Sequence, residues 1–356
     1  MLKRGQRGQR RLVVAVVAAG VALAGCATSS GDPASTTGTG ASPASALVVY
    51  SGRSEELVGP LFATFTEQTG IPLSVRYGDS ADLAAQLLEE GERTPAQVFF
   101  AQDAGALGAV AAAGLLSPLP GDVADRVPSQ YRAGDGTWTG VTGRARVIAY
   151  DAQQLAANQV PTSVFDLVDP KWRGQVGIAP TNASFQSFVT AMRLTEGEQV
   201  TRDWLAGLVA NDVQRFEKNS LILDAVDTGQ VQLGLINHYY WFEKAAEVGT
   251  DMMRAQLAFT APRDPGSLVN VAGVGVTRNT ANAENPEPAA AFVGWLLTPE
   301  VQQWFAVNTF EYPLIPDVAA LDGIPPLSTL RGPDVALAQL ADLPSTQQML
   351  VQVGLL

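Results

Sequence analysis

The feature that most constrains this chain is an alternation of short β-rich runs with amphipathic helical runs, which occurs twice. Residues 47–50, 72–77 and 97–101 read as strands. Between and after them, Leu57, Leu61, Phe62 and Phe65 recur at helical spacing, residues 81–90 follow a capping Ser80, and residues 105–113 close at Gly114. Ser54 stands where an N-cap belongs, with Glu55 and Glu56 in the first turn where the helix dipole favours acids. Pro60 predicts an irregular first turn or two. Strand, helix, strand, helix in this order predicts a parallel sheet covered on both faces.

The alternation restarts after about residue 145. Residues 141–151 form an apolar strand that carries Arg144 and Arg146, and residues 170–174 are a turn into a strand at 176–180. Residues 181–184 open a long amphipathic helix that runs through Leu194. A buried strand at 231–236 leads into Asn237-His238-Tyr239-Tyr240-Trp241, which contains the only histidine. Residues 273–276 are a further strand, with helical runs at 289–297 and 299–307, and no repeat of solenoid period is present. The paired tyrosines therefore fall at the carboxyl end of a strand, where ligands collect in open α/β folds. A phenolate is a hard oxygen donor suited to a hard cation, while a tyrosine also serves as an amphipathic packing residue.

The amino-terminal 25 residues read as a lipoprotein signal peptide. Lys3, Arg4, Arg7, Arg10 and Arg11 precede a short apolar run and then Leu23-Ala24-Gly25-Cys26, too short a run to span a bilayer. This resembles the bacterial lipobox, so Cys26 is the expected lipidation site. Residues 27–45 are Ser, Thr, Gly, Ala and Pro with one charge, so residues 26–45 are expected to be the lipidated cysteine and a flexible tether. The leader holds five of the 23 basic residues and none of the 35 acidic ones, so the remainder carries 18 against 35, a net −17. That balance excludes a nucleic-acid partner and leaves the tether to hold the protein to a membrane. Cys26 is the only cysteine, so disulfides and thiolate metal sites within the chain are excluded as well.

The order of these motifs resembles the extracellular solute-binding proteins of ABC transporters, and within them the ferric-ion-binding, transferrin-like subfamily. The resemblance runs through 47–53, 97–100, 138–150, 179–181, 218–220, 236–241, 273–276 and Glu311-Tyr312-Pro313-Leu314. It implies an α/β fold of the type II periplasmic-binding kind, with two βα lobes, a hinge and an interlobe cleft. The lobes would be residues 46–143 plus about 268–310, and residues 144–267 plus about 311–356. It also implies that Tyr239 and Tyr240 bind Fe3+, with carbonate or phosphate as a synergistic anion held by Arg144, Asn182, Ala183, Ser184, Asn219 and Asn237. The chemistry fits independently: a helix start such as 182–184 offers free N–H groups and a positive dipole end. The expected partners are ABC permease and ATPase subunits. The expected state is a monomer, lipid-anchored to the outer face of the cytoplasmic membrane, and no catalytic residue is expected.

The sequence departs from the subfamily at the two ligands supplied by the first lobe. Where relatives place a histidine and a glutamate, this chain has Ser54 and Gln102, which offer at most weak neutral contacts. Asp103 and Glu55 are adjacent carboxylates that read as solvated helix-start residues. Phe185 stands in the region where some relatives have a third tyrosine, and His238 reads as a hydrogen-bonded structural residue. These departures keep open an alternative, the same fold binding a polyamine, thiamine or phosphonate. A secreted hydrolase is disfavoured by the single histidine and by the lack of GxSxG and HExxH.

Overall fold

One thirteen-residue strand, β5 (Thr139–Asp151), organises the molecule. Every residue in it is buried, and at about 3.3 Å per residue it runs for roughly 40 Å. In this computed structural model, which describes residues 46–281 and 286–356, β5 belongs to two groups of strands at once. The expectations for the signal peptide, Cys26 and the tether lie outside the described residues.

The first group is β1 (Leu47–Ser51), β2 (Leu73–Tyr77), β3 (Val98–Ala101), β4 (Leu116–Ser117) and β10 (Val269–Thr277). The second is β6 (Val176–Ile178), β7 (Gln214–Arg215), β8 (Leu233–Asn237) and β9 (Ala255–Ala258). A short strand, β11 (Tyr312–Pro313), pairs with β5 on the first side. The path across the whole sheet is β2-β1-β3-β10-β5-β8-β6-β7. Residues 139–145 of β5 pair with β10, whereas residues 146–150 pair with β8, so the strand changes neighbours between Ala145 and Arg146.

The expected parallel sheet is present only in part. β1 pairs parallel with β2 and β3, and β6 pairs parallel with β7 and β8. The long strands β5 and β10 run antiparallel to their neighbours, which makes the sheet mixed. The physical reason is topological. β10 returns to the first group from far down the chain and enters it from the opposite end.

The predicted helices form with small shifts in their ends. Pro60 lies inside an unbroken helix, Glu55–Thr69, which buries Val58, Leu61, Phe62 and Phe65 and ends at a left-handed Gly70. Phe65 meets Phe292 edge-on at 5.0 Å, tying that helix to the helix Glu287–Leu296. Ser54 occupies the N-cap position without making a side-chain cap. Ser80 is not a cap either: the helix Ser80–Glu90 is preceded by Asp79, and the Ser80 hydroxyl accepts from the Gln102 N–H at 2.7 Å. That contact draws the loop after β3 toward the start of the helix that follows β2. Gly52 lies against the same hydroxyl, leaving no room for a Cβ.

Candidate functional site

The strand β8 ends at Asn237 and the helix Tyr239–Val248 begins two residues later, so both tyrosines emerge where the backbone turns from strand to helix. Their rings stack with centroids 4.3 Å apart and planes inclined by 28°. Tyr239 is buried and Tyr240 half-buried. Both line a cleft of about 740 Å³ whose opposite wall includes Arg53, Ser54, Glu55, Glu56, Tyr77, Asp79 and Gln102. The cleft therefore joins the tyrosine helix to the loops that follow β1, β2 and β3.

His238 holds the tyrosines in place from behind. Its Nδ1 accepts from the Ala145 N–H at 3.2 Å, which leaves the proton on Nε2 to be donated to the Phe310 carbonyl at 2.9 Å. Burial pushes the imidazole down to about 4, so the ring is neutral near pH 7. The expected structural role for this histidine is what the structure places there. Phe310 has a φ of 56°, a strained conformation for a bulky residue, and its carbonyl is fixed by this bond.

Three guanidiniums lie buried near the tyrosines. Arg53 reaches both oxygens of Glu311, at 2.9 and 3.1 Å. Burial pulls the Arg53 pKa down, but the Glu311 carboxylate beside it outweighs that and the net shift is upward. Arg144 donates to the Gln102 carbonyl and lies 3.8 Å from Glu311, while its Nε and Nη1 have no hydrogen-bond partner. Arg146 donates to Asn237 Oδ1 at 3.2 Å and to the Leu235 carbonyl at 3.1 Å, and burial lowers it to about 10. The buried carboxyls near this group are Glu311 and Asp103, so even with both ionised one positive charge is left over. Burial raises the Tyr239 hydroxyl well above the usual phenol value, the neighbouring Tyr240 adds to this, and Arg144 and Arg53 oppose it.

The structure divides the sequence-predicted site residues into three sets. Tyr239, Tyr240, Ser54 and Gln102 line the cleft together. Asn182, Ser184, Asn219 and Asn237 form one polar network with Arg146: Asn219 donates to Asn182 at 3.1 Å, and Asn237 donates to Ser184 Oγ at 3.1 Å. Arg144 stands apart from that network, on Gln102 and Glu311. The helix start is also less open than expected, because the Ser184 N–H is already capped by Asn182 Oδ1 at 3.0 Å. Ala183 is the half-buried first residue of that helix and makes no side-chain polar contact.

Asp103 corrects the reading of a solvated residue. It is 2 % exposed and caps its own helix by accepting from the Ala106 N–H at 3.1 Å. Burial raises its carboxyl, and Arg144 opposes that rise. Glu55 is exposed on the rim. Arg53, Glu311 and Glu243 were missed by the sequence analysis. Glu243 lines the cleft, and burial pushes its carboxyl up to about 7. Its spacing of three and four residues from the tyrosines was the available signal. Among the described residues no group of three or more His, Cys, Asp or Glu is placed to hold a metal.

Two groups of strands joined by a shared long strand, with a polar cleft at the strand ends, define a type II periplasmic binding protein. The chain belongs to the bacterial extracellular solute-binding proteins, whose family pattern matches residues 94–337. It is therefore a binding protein of a transport system and not an enzyme, and its family works with ABC permease and ATPase subunits. It is 33% identical over 320 residues to the major ferric iron-binding protein of Neisseria meningitidis serogroup B, covering 89% of this chain and 96% of that one. It is 34% identical over 321 residues to the Fe(3+)-binding periplasmic protein of Serratia marcescens, covering 89% and 94%. The crystal structure of iron-bound HitA from Pseudomonas aeruginosa superposes with a TM-score of 0.81 at 32% identity, covering 87% of this chain and 99% of that one. Among the described residues no helix is long and apolar enough to cross a membrane.

Proposed function

We propose that this protein captures ferric iron in the cleft and delivers it to an ABC permease. The observation that carries this reading is the stacked pair Tyr239–Tyr240 opening into the cleft above a surplus of buried positive charge. Phenolates would offset that positive charge and give a hard cation the anionic oxygens that neutral phenols cannot. A ferric ion supplies the charge needed to expel the phenol protons, so binding releases protons and weakens as the pH falls. The iron-binding relatives support the same cargo.

A synergistic anion, carbonate or phosphate, completes the metal's coordination in this reading. Arg144 supports it, because its buried Nη1 and Nε make no hydrogen bond, Nε having only the 3.8 Å approach to Glu311, and a buried donor left without one is costly. Asn182, Ala183, Ser184, Asn219 and Asn237 act mainly as the scaffold that holds Arg146 and the strand end beside the tyrosines. Ser54 and Gln102 contribute neutral oxygen contacts from the opposite wall. Residues 46–143 with about 268–310, and 144–267 with most of about 311–356, move as two lobes that close over the cargo, with the pivot where β5 changes partners, while Glu311 and β11 stay with the first lobe through Arg53 and β5. The protein acts as a monomer held to the outer face of the cytoplasmic membrane through lipid on Cys26.

The discriminating experiment is a thermal-shift panel on the soluble domain with ferric citrate, a polyamine, thiamine and a phosphonate. A ligand at about a hundred times its Kd adds about 2.7 kcal/mol of stability. Stabilisation by ferric citrate alone is the expected result, and stabilisation by one of the organic solutes in its place would overturn the iron reading.

A further inference from the structure

We propose that Glu243 is a third anionic protein ligand to the metal, presented by the same helix as the two tyrosines. This rests on the iron reading above and specifies its coordination. Glu243 lies three residues after Tyr240 and four after Tyr239 in the helix Tyr239–Val248, spacings that put side chains on one face. All three residues line the cleft.

The other acidic groups near the cleft are committed or remote. Asp103 is turned inward as a helix cap. Both oxygens of Glu311 are held by Arg53, and Thr142 and Thr309 donate to it as well. Glu55, Glu56 and Asp79 are exposed on the rim. Glu243 alone among these is half-buried on the cleft wall with no hydrogen bond or ion pair, although a half-buried carboxylate without a partner is unfavourable. Arg53 does not serve as that partner, since its terminal nitrogens are taken by Glu311. A hard trivalent cation on the two phenolates would provide one. On the opposite wall the acids Glu55, Glu56 and Asp79 are exposed, and Ser54 and Gln102 stand where relatives supply a histidine and a glutamate, so the half-buried carboxylate comes from the tyrosine side of the cleft.

The test compares wild type, Glu243→Gln, Glu243→Asp and Glu247→Gln by ferric titration and by competition with citrate. Glu247 is one helical turn further on, exposed and outside the cleft lining, so its variant is the control. Glu243→Gln should keep a visible phenolate-to-iron band, because both tyrosines remain, while iron affinity falls by at least about tenfold, the loss typical of removing even an indirect partner of a metal ligand. Glu247→Gln should match the wild type. Equal iron affinity in wild type and Glu243→Gln overturns the assignment while leaving the iron reading intact. A wild type that takes up no iron overturns both. If Glu243→Gln melts early, Glu243→Asp decides: weaker affinity at an unchanged apo melting temperature supports the ligand role, and wild-type affinity overturns it.

Discussion

Arg53 and Glu311 meet as a two-pronged ion pair, Nη1 to Oε1 at 2.9 Å and Nη2 to Oε2 at 3.1 Å, across 258 residues of chain. Their side chains are 2 % and 0 % exposed. Glu311 also accepts from Thr142 Oγ1 at 2.9 Å and Thr309 Oγ1 at 3.1 Å. One carboxylate thus ties the loop after β1, the long strand β5 and the segment entering β11 into a single knot beneath Tyr239.

Removing that carboxylate strands Arg53 and Arg144 in the interior. Breaking a buried pair from one side typically costs about 3–5 kcal/mol, because the orphaned charge stays buried. Glu311→Ala should lose stability of that order in urea or guanidinium unfolding. A change within the error of wild type would show that the knot is not what joins these segments.

Much of this arrangement was open to sequence reasoning, and the failures have a common cause. The tyrosine pair was legible because it follows an apolar strand directly, and the helices were legible because Phe62, Phe65 and Gly70 mark a buried face and an end. The Arg53–Glu311 pair was not, since nothing local to either residue points to a partner 258 positions away. Asp103 follows a strand and precedes a helix, as a solvated acid also would, and its burial comes from packing of distant elements. Glu243 reads as an ordinary charged residue of an aromatic-rich helix until the cleft wall opposite is known. The sheet's antiparallel centre depends likewise on where β10 returns, which local periodicity does not encode.

Far from the cleft, Asp151 closes the end of β5. It accepts from Arg254 Nε at 2.6 Å, from the Gln153 N–H at 3.0 Å and from Gln154 Nε2 at 2.6 Å. Burial alone would raise this carboxyl, but the hydrogen bonds led by Arg254 outweigh burial and hold it below the usual aspartate value. A carboxyl held low in the fold adds stability that is complete above its unfolded pKa and lost as the pH falls through its folded one. Asp151→Asn should therefore destabilise by about 1.5–3 kcal/mol at pH 7. The difference should shrink as the pH falls through the lowered carboxyl of the folded state. A pH-independent difference in melting temperature would contradict this.

The Arg144 nitrogens that make no hydrogen bond lead to an anion-dependence prediction. Iron affinity of the wild type should rise when carbonate or phosphate is added to anion-free buffer. Arg144→Ala should lose most of that sensitivity while keeping its far-ultraviolet circular dichroism. Equal affinities with and without anion in the wild type would remove the anion from the account.

Anchoring is tested separately. Cys26→Ser should leave the precursor unprocessed or move the protein out of the membrane fraction of its host. Unchanged processing and membrane association would contradict lipidation at that residue.

The central claim is that the two tyrosines bind ferric iron as phenolates. The most direct measurement is a visible-range titration of the soluble domain with ferric citrate at neutral pH, beside Tyr239→Phe and Tyr240→Phe. The account predicts a ligand-to-metal charge-transfer band in the wild type that is lost or strongly diminished in each variant, and that fades as the pH is lowered and protons reclaim the phenolates. A wild type that stays colourless, or a band that survives in both variants, would contradict it.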